Sequence, residues 1–575
     1  MHSSDDKPET APTRDECLPL FGRVLFLSAN AATLRAQLGG ADVELPRALP
    51  LRDDISTDEI TPMAALAHYD DALGRHPYTG LRVGDETPIA LDAIVTAGFT
   101  VTVAGKRYGK GSSREHSPMA EKLAGIRLVV AESFERLYRQ NADNIGLLTS
   151  TDFSLIERIQ RGERIALREL LAGRDALASD ILACGGLLGF GRRHLSNITA
   201  PISQQTHRHA GSRTLFEKIV ARHLLSTATT RNNTNPGQGV FVRADWRFIH
   251  EYYTGMCAHM LRTAADPTPA LHDAASIVAF EDHTSYVEAS AMHRTRGLVQ
   301  PIRAMCRAHR EFVAAHGLRS HRTLTEDEAA QDKGDNAAGI SHAMMTEHYA
   351  LPGQLVVGTD SHTPHSGALG CVAFGVGSTD MANAFITGAV RMTLPESLLI
   401  RLEGHLPAGI TAKDIVLDLL ARPEIRAGLG VGKVFEFVGP ALDGLSVDER
   451  ATLTNMTAEL GGLTGIVAPD SHTVRFLRER RGVEFVLESW MRSDTGAHYA
   501  ATLRVDCTRL TPMVARPGDP GNGIALKDLP APVRVDIAYG GSCTAGKRAD
   551  FDHYYEVLAW GLARGLRVPD SVTLY

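Results

Sequence analysis

The sequence predicts an α/β protein with a small first domain and a larger second one, and three observations carry that prediction. The chain is 575 residues long, more than one ordinary hydrophobic core accommodates. Short apolar, β-rich runs alternate with stretches of helical periodicity, the order expected where helices cover a mostly parallel sheet. Residues 191–213, GRRHLSNITAPISQQTHRHAGSR, are polar, basic and aperiodic. They read as an interdomain linker, with an ordered surface loop as the alternative.

In chain order, residues 1–50 read as an extension with one short apolar stretch, GRVLFLSA, and a first domain spans 51–190. Within it, PIALDAIVTAGFTVTVAG offers strand-like stretches and IRLVVA, 126–131, a β-rich run. ESFERLYRQNA follows as a helix with Phe134, Leu137 and Tyr138 on one face. The second domain, 214–575, opens on a helix, TLFEKIVARHLLS, and continues through QLVVGTD, a strand entering a polar loop. ITAKDIVLDLL reads as a helix with Thr411 near its cap and Ile415, Val416 and Leu419 inward. APVRVDIAYGGSCT is again a strand opening into a glycine-rich loop, and such strand ends are where α/β folds place chemistry. The tetrapeptide DSHT recurs at 360–363 and 470–473, too short a repeat to establish duplication.

With 43% hydrophobic and 22% charged residues, the composition is that of a soluble globular protein. A formal net charge of -7 predicts no nucleic-acid partner, while local arginines and helix ends still suit small anions. The seven cysteines are odd in number, far apart and without a Cys-x-x-Cys pair, which argues against a secreted disulfide scaffold. MHSSDDKPET lacks the basic-then-apolar order of a signal peptide, and no apolar run reaches transmembrane length. The expectation is a cytoplasmic enzyme with no membrane contact.

The most informative stretch of the first domain is YGKGSSREHSPMAEKLAG, 108–125. Gly109 and Gly111 permit tight turns, Ser112 and Ser113 set hydroxyls beside Arg114, and Ser117-Pro118 resembles a helix start. Backbone N–H groups, hydroxyls and a guanidinium fork together suit a carboxylate or phosphate, although a solvent-exposed turn has the same composition. The Walker lysine spacing is missing. GSSREH, with DDISTDEITP upstream and ESFERLYRQNADNIGLL downstream, resembles the mobile swivel domain of aconitase and isopropylmalate isomerase relatives. That resemblance implies Ser112 as the base that removes a carbon-bound proton, with Ser113 and Arg114 on a substrate carboxylate. A serine can take that role only where its oxyanion is strongly stabilised.

In the second domain, GISHAMMTEHYALPGQLVVGTDSHTPHSGALGCVAFGVGSTDMA resembles the central catalytic region of the same superfamily. The chain is thus expected to join a small swivel α/β domain to a large aconitase-like, multi-subdomain α/β region, in an order unlike the usual swivel-last arrangement. Asp360 and His362, two residues apart, form an acid–base pair, and the resemblance adds His342 and the Asp282-His283 dyad in FEDHT. His365 stands where the commoner pattern has asparagine. NMTAELGG places Asn455 as a substrate-binding residue and Glu459 as a proton carrier, on one face if the segment is helical. Outside the resemblance, an isolated histidine among 24 reads as a packing or surface residue.

GGSCTAGKRADFDHYYEVLAWGLARG resembles the segment bearing the first thiolate ligand of the superfamily's 4Fe-4S cluster, which makes Cys543 the iron-ligand candidate. Ala545 replaces the usual asparagine, and the Cys-x-x-Cys pair that completes three thiolates is missing, so the cysteine ligands are incomplete in this chain. A longer parent chain, an offshoot without the cluster, and a partner chain completing the site are the competing explanations. The implied activity is a hydro-lyase or isomerase that dehydrates and rehydrates a hydroxy di- or tricarboxylate. The alternative is a cluster-free carboxylate-binding or regulatory homologue.

Overall fold

The protein is seen in a computed structural model that describes residues 17–18, 20, 22–111, 114–191, 211–225, 235–264, 269–285, 287, 290–297, 299–324, 327–328 and 338–575. Ser112, Ser113 and most of the expected linker lie outside the described residues.

The amino-terminal layer is a parallel sheet of β1 (Arg23–Phe26), β2 (Phe99–Ala104), β3 (Leu128–Ala131) and β4 (Leu148–Ser150), in that order. Such sheets are covered on both faces, which is why LVVA in β3 is apolar and buried throughout. Because β1 falls within 1–50, the sheet begins ahead of Leu51. The crossover helices are α1 (His116–Leu123) and α2 (Arg136–Ile145).

Three local expectations are corrected here. Half of PIALDAIVTAGFTVTVAG is not strand: Ala93–Ala97 is a one-turn helix, ended by left-handed backbone at Gly98. Phe134 precedes α2 and instead stacks on Tyr138, ring centroids 6.1 Å apart. Ser117 is not a helix cap. It lies inside α1, and its hydroxyl donates to the Thr57 carbonyl at 3.1 Å and shares a 2.8 Å hydrogen bond with Thr61 Oγ1.

Two larger parallel sheets lie in the second region. The first comprises β5 (Trp246–His250), β6 (Ile277–Phe280), β7 (Arg319–His321), β8 (Leu355–Gly358) and β9 (Val372–Gly375), in spatial order β7-β6-β5-β8-β9. From β5 the chain builds outward through β6 and β7, then returns to lay β8 and β9 on the other side. The carboxyl ends of β5 and β8 therefore flank a topological switch point, where open α/β sheets leave a crevice for ligands. Glu251–Ala264 (α3) and Ser378–Thr387 (α5) pack on this sheet, as does Val299–His316 (α4) against α3.

The other sheet comprises β10 (Ser397–Glu403), β11 (Val434–Val438), β12 (Thr464–Val467) and β13 (Ala501–Asp506), in spatial order β12-β11-β10-β13. The expected helix α6 (Ala412–Ala421) carries Thr411 at its cap and buries Ile415, Val416 and Leu419. Further on, α7 (Val447–Asn455) leads towards β12. Near the carboxyl end β14 (Ile537–Ala538) pairs in parallel with β15 (Thr573–Leu574) through α8 (Arg548–Leu562), and Tyr555, Trp560 and Leu562 lie exposed.

The amino-terminal layer is seated on the second region by polar contacts. Thr379 N donates to Glu115 at 2.9 Å, and Gln140 and Asn144 both donate to Asp380 Oδ2, at 2.7 and 2.6 Å. Gly377 is required for this approach, since a Cβ there would meet the Asn141 and Glu115 side chains within 2.3 Å. Beneath this seat Glu121 is buried and accepts from three phenols, Tyr78 and Tyr138 at 2.5 Å and Tyr108 at 2.6 Å.

Burial pushes the Glu121 carboxyl up to about 7 despite those donors. A raised folded-state value means the folded chain holds this proton after the unfolded chain has lost it. Stability therefore falls as pH climbs through the window from the ordinary value to about 7, by about 3 kcal/mol. Glu121→Gln is expected to remove that slope, read from denaturant midpoints at a series of pH values.

Candidate functional site

The crevice at the switch point collects polar side chains because strand ends and the loops after them present unpaired groups there. His250 ends β5 and Glu251 opens α3, Asp282 and His283 follow β6, and Asp360 to His362 follow β8. All come from loops anchored by apolar strands, which fix the backbone while leaving side-chain tips free for chemistry.

Asp360 is the buried centre. Its Oδ1 accepts from the His362 backbone N at 2.6 Å, and its Oδ2 lies 3.3 Å from His342 Nδ1. His342 Nε2 donates to the Cys543 carbonyl at 2.8 Å, so that nitrogen carries the proton. His362 Nε2 pairs with Glu459 Oε1 at 3.0 Å. Burial opposes charge on Asp360, but His342 and His362 outweigh it and hold the carboxyl well below its usual range. Burial likewise opposes charge on His362, where Asp360, Cys543 and Glu459 prevail and push the imidazole well above its usual value.

A second group lies beside it. Asp282 hydrogen-bonds His283 Nδ1 and accepts from Ser341 N at 2.9 Å, while His283 stacks on His250 at 4.3 Å. Burial works against the charged form of His283, yet Asp282, Asp360 and Glu251 raise its pKa to about 10. Asn455 is buried between His365, 3.2 Å away, and the Thr544 hydroxyl, which donates to it at 3.1 Å. Arg114 is buried against Asp58 at 2.6 Å and the Thr61 carbonyl at 2.8 Å, and its Nε has no hydrogen-bond partner among the described residues. The Tyr253 ring, which interacts with Arg114, lies 4.8 Å from the His250 ring, so Arg114 reaches the edge of the crevice here.

The structure thus brings Asp282, His283, His342, Asp360, His362, Asn455, Glu459 and the Cys543 backbone into one neighbourhood, with Arg114 at its edge. Asn455 and Glu459 do not share a helix face as expected, because α7 ends at Asn455 and Glu459 sits on the turn beyond. The second DSHT is structural: Asp470 caps the next helix, accepting from His472 N at 2.9 Å, and pairs with Arg450 at 2.8 Å. Sequence reading missed His250 and Glu251, whose signal was a β-rich run, WRFIH, ending in two ionisable residues. It also left His365 without a role, and burial pulls that imidazole well below its usual pKa.

The cysteines do not fit a three-thiolate cluster. Cys543 borders the acid–base group through its backbone carbonyl, Cys306 Sγ lies 3.3 Å from the Thr284 hydroxyl that donates to Glu251, and Cys257, Cys371 and Cys507 are buried within separate apolar cores. Among the described residues, His250, Glu251, Asp282 and His283 hold donor atoms within 4.8 Å of one another, and that set contains no thiolate.

The aconitase family (aconitate hydratase) matches residues 217–575, and the aconitase C-terminal domain matches residues 78–151. A 3-isopropylmalate dehydratase large subunit of Pyrococcus furiosus is 31% identical over 374 residues, 64% of this chain and 80% of that protein. The chloroplastic large subunit of Arabidopsis thaliana is 29% identical over 364 residues, 62% and 67% respectively. A crystal structure of 3-isopropylmalate dehydratase from Methanocaldococcus jannaschii is 30% identical across 24% of this chain and 88% of its own, with a TM-score of 0.19.

The geometry makes Glu459 one of the groups that hold His362 charged. Glu459→Gln is expected to lower the His362 pKa, followed as the ring-carbon NMR shift across a pH titration. An unchanged titration would sever that link.

Proposed function

The chain belongs to the aconitase family, and from that premise we propose that it is a hydro-lyase or isomerase acting on a small hydroxy di- or tricarboxylic acid in the cytoplasm. The observation that carries the reading is the buried Asp360 at the switch point, flanked by His342 and His362, with Glu459 and the Asp282–His283 pair close by. In this reading residues 51–190 act as a swivel domain, 191–213 as its linker and 214–575 as the larger catalytic region.

Ser112, as the alkoxide, takes the proton from the carbon next to the carboxylate and becomes a neutral hydroxyl, and that oxyanion requires nearby donors before the transfer. Arg114 and Ser113 bind the carboxylate, for which the unpartnered Nε of Arg114 is a ready donor. His283, held protonated by Asp282, delivers a proton to the departing hydroxyl, which leaves as water, and a carbon–carbon double bond forms. Rehydration at the neighbouring carbon runs the same steps in reverse. His362 with Glu459 and Asp360 orients the substrate, and Asn455 contacts it. No step is routed through a cluster, because the cysteines do not converge as three ligands on one point. A partner polypeptide that brings further ligands belongs to this reading, and the exposed apolar side chains of α8 support it.

A second reading, a cluster-free carboxylate-binding or regulatory homologue, is favoured by that same donor set. The two separate on one assay with the full chain, citrate- and isopropylmalate-type acids being tried first. Solvent deuterium exchange at the substrate carbon, lowered about 10²–10⁴-fold in Ser112→Ala with affinity nearly kept, is the expected result. Binding without exchange in the unaltered protein would establish the second reading instead.

A further inference from the structure

A cavity of about 420 Å³ lies between α2 of the amino-terminal layer and the second region, within the size range of small-molecule sites. None of its lining residues belongs to the acid–base group around Asp360. Four guanidiniums, Arg136, Arg139, Arg174 and Arg391, face it together with two carboxylates, Asp143 and Asp175.

Those carboxylates are already engaged. Asp143 pairs with Arg174 at 2.9 Å and with Arg391 at 3.6 Å. Asp175 caps a helix by accepting from Ala178 N at 2.8 Å and also accepts from the Thr393 hydroxyl at 2.7 Å. Nearby, Asp380 accepts from Gln140 and Asn144, and Glu135 is turned towards Arg107 at 3.3 Å. Arg136 and Arg139, one helical turn apart on α2, are not directly paired, although Asp380 and Glu135 act on Arg136 and Asp143 on Arg139 from further off. Arg136 donates to Gln140 Oε1 at 3.1 Å and has no ion pair among the described residues. The Arg139 side chain has neither a hydrogen bond nor an ion pair among them, and its Nε is buried.

Cations drawn out of water without a direct ion pair are costly, and a bound anion relieves that cost. Burial outweighs the neighbouring carboxylates and pulls the pKa of both arginines down, Arg136 to about 10. We infer that this cavity binds a small dianion, a phosphate group or a dicarboxylate, on Arg136 and Arg139. Because Arg136 and Arg139 sit on the amino-terminal layer and Arg391 on the second region, the ligand bridges the two and stabilises their seating by mass action.

Isothermal titration of the full chain with inorganic phosphate and, separately, with succinate tests this. A saturable site is expected for at least one of them, weakened at least about tenfold by Arg139→Gln and by Arg136→Gln. Ser112→Ala should leave that affinity unchanged. The tighter of the two ligands names the class. The two glutamine variants serve as alternatives should one of them fail to fold, as judged by its thermal transition. Absence of saturable binding, or binding lost in Ser112→Ala but kept in both glutamine variants, overturns the inference.

Discussion

Asp360 is a carboxylate taken out of water at the point where the strand order of a parallel sheet reverses, and the crevice is arranged around that fact. An uncompensated charge there would be unaffordable, so the chain surrounds it with the His362 backbone N–H and the imidazole of His342. Removing one partner of such a buried pair costs about 3–5 kcal/mol. The same contacts orient both rings, since His342 is pinned on its far side by the Cys543 carbonyl and His362 by Glu459. Protein stability and placement of the proton-carrying groups thus rest on one side chain.

The seating of the amino-terminal layer follows the same economy of polar groups. Asp380, at the start of α5, accepts on Oδ2 from amides of Gln140 and Asn144, with Arg391 and Arg136 acting on it from further off, and Glu115 accepts from Thr379. Burial nevertheless raises the pKa of both carboxyls, Glu115 to about 8. The interface between layers consequently holds buried carboxyls together with two arginines that make no ion pair among the described residues. Such a seam suits a joint whose closure depends on what is bound in it.

The metal question turns on donor chemistry. A thiolate cluster needs several sulfur ligands converging on one point, and the cysteines here are dispersed, with burial raising the thiols of Cys257 and Cys371 well above their usual pKa and keeping them inert. What the crevice concentrates instead is imidazole and carboxylate, groups that move protons.

Much of the fold was legible in the sequence because its signals are local. IRLVVA and QLVVGTD are apolar runs that only a covered parallel sheet accommodates, and ITAKDIVLDLL carries both its cap and its inward stripe. The motif residues Asp360, His362 and His342 were likewise visible, as was their association through resemblance. Sequence by itself thus determined the α/β class, the elements and the chemical types at the site. Tertiary structure decided what depends on distance: that His250 and Glu251 join the crevice, that Glu459 reaches His362 from a turn rather than a helix face, and that β1 belongs to the first sheet. It also decided that Arg136 and Arg139 face a cavity and make no ion pair among the described residues. Charge compensation and burial are properties of neighbours far apart in the chain, and no local pattern of residues encodes them.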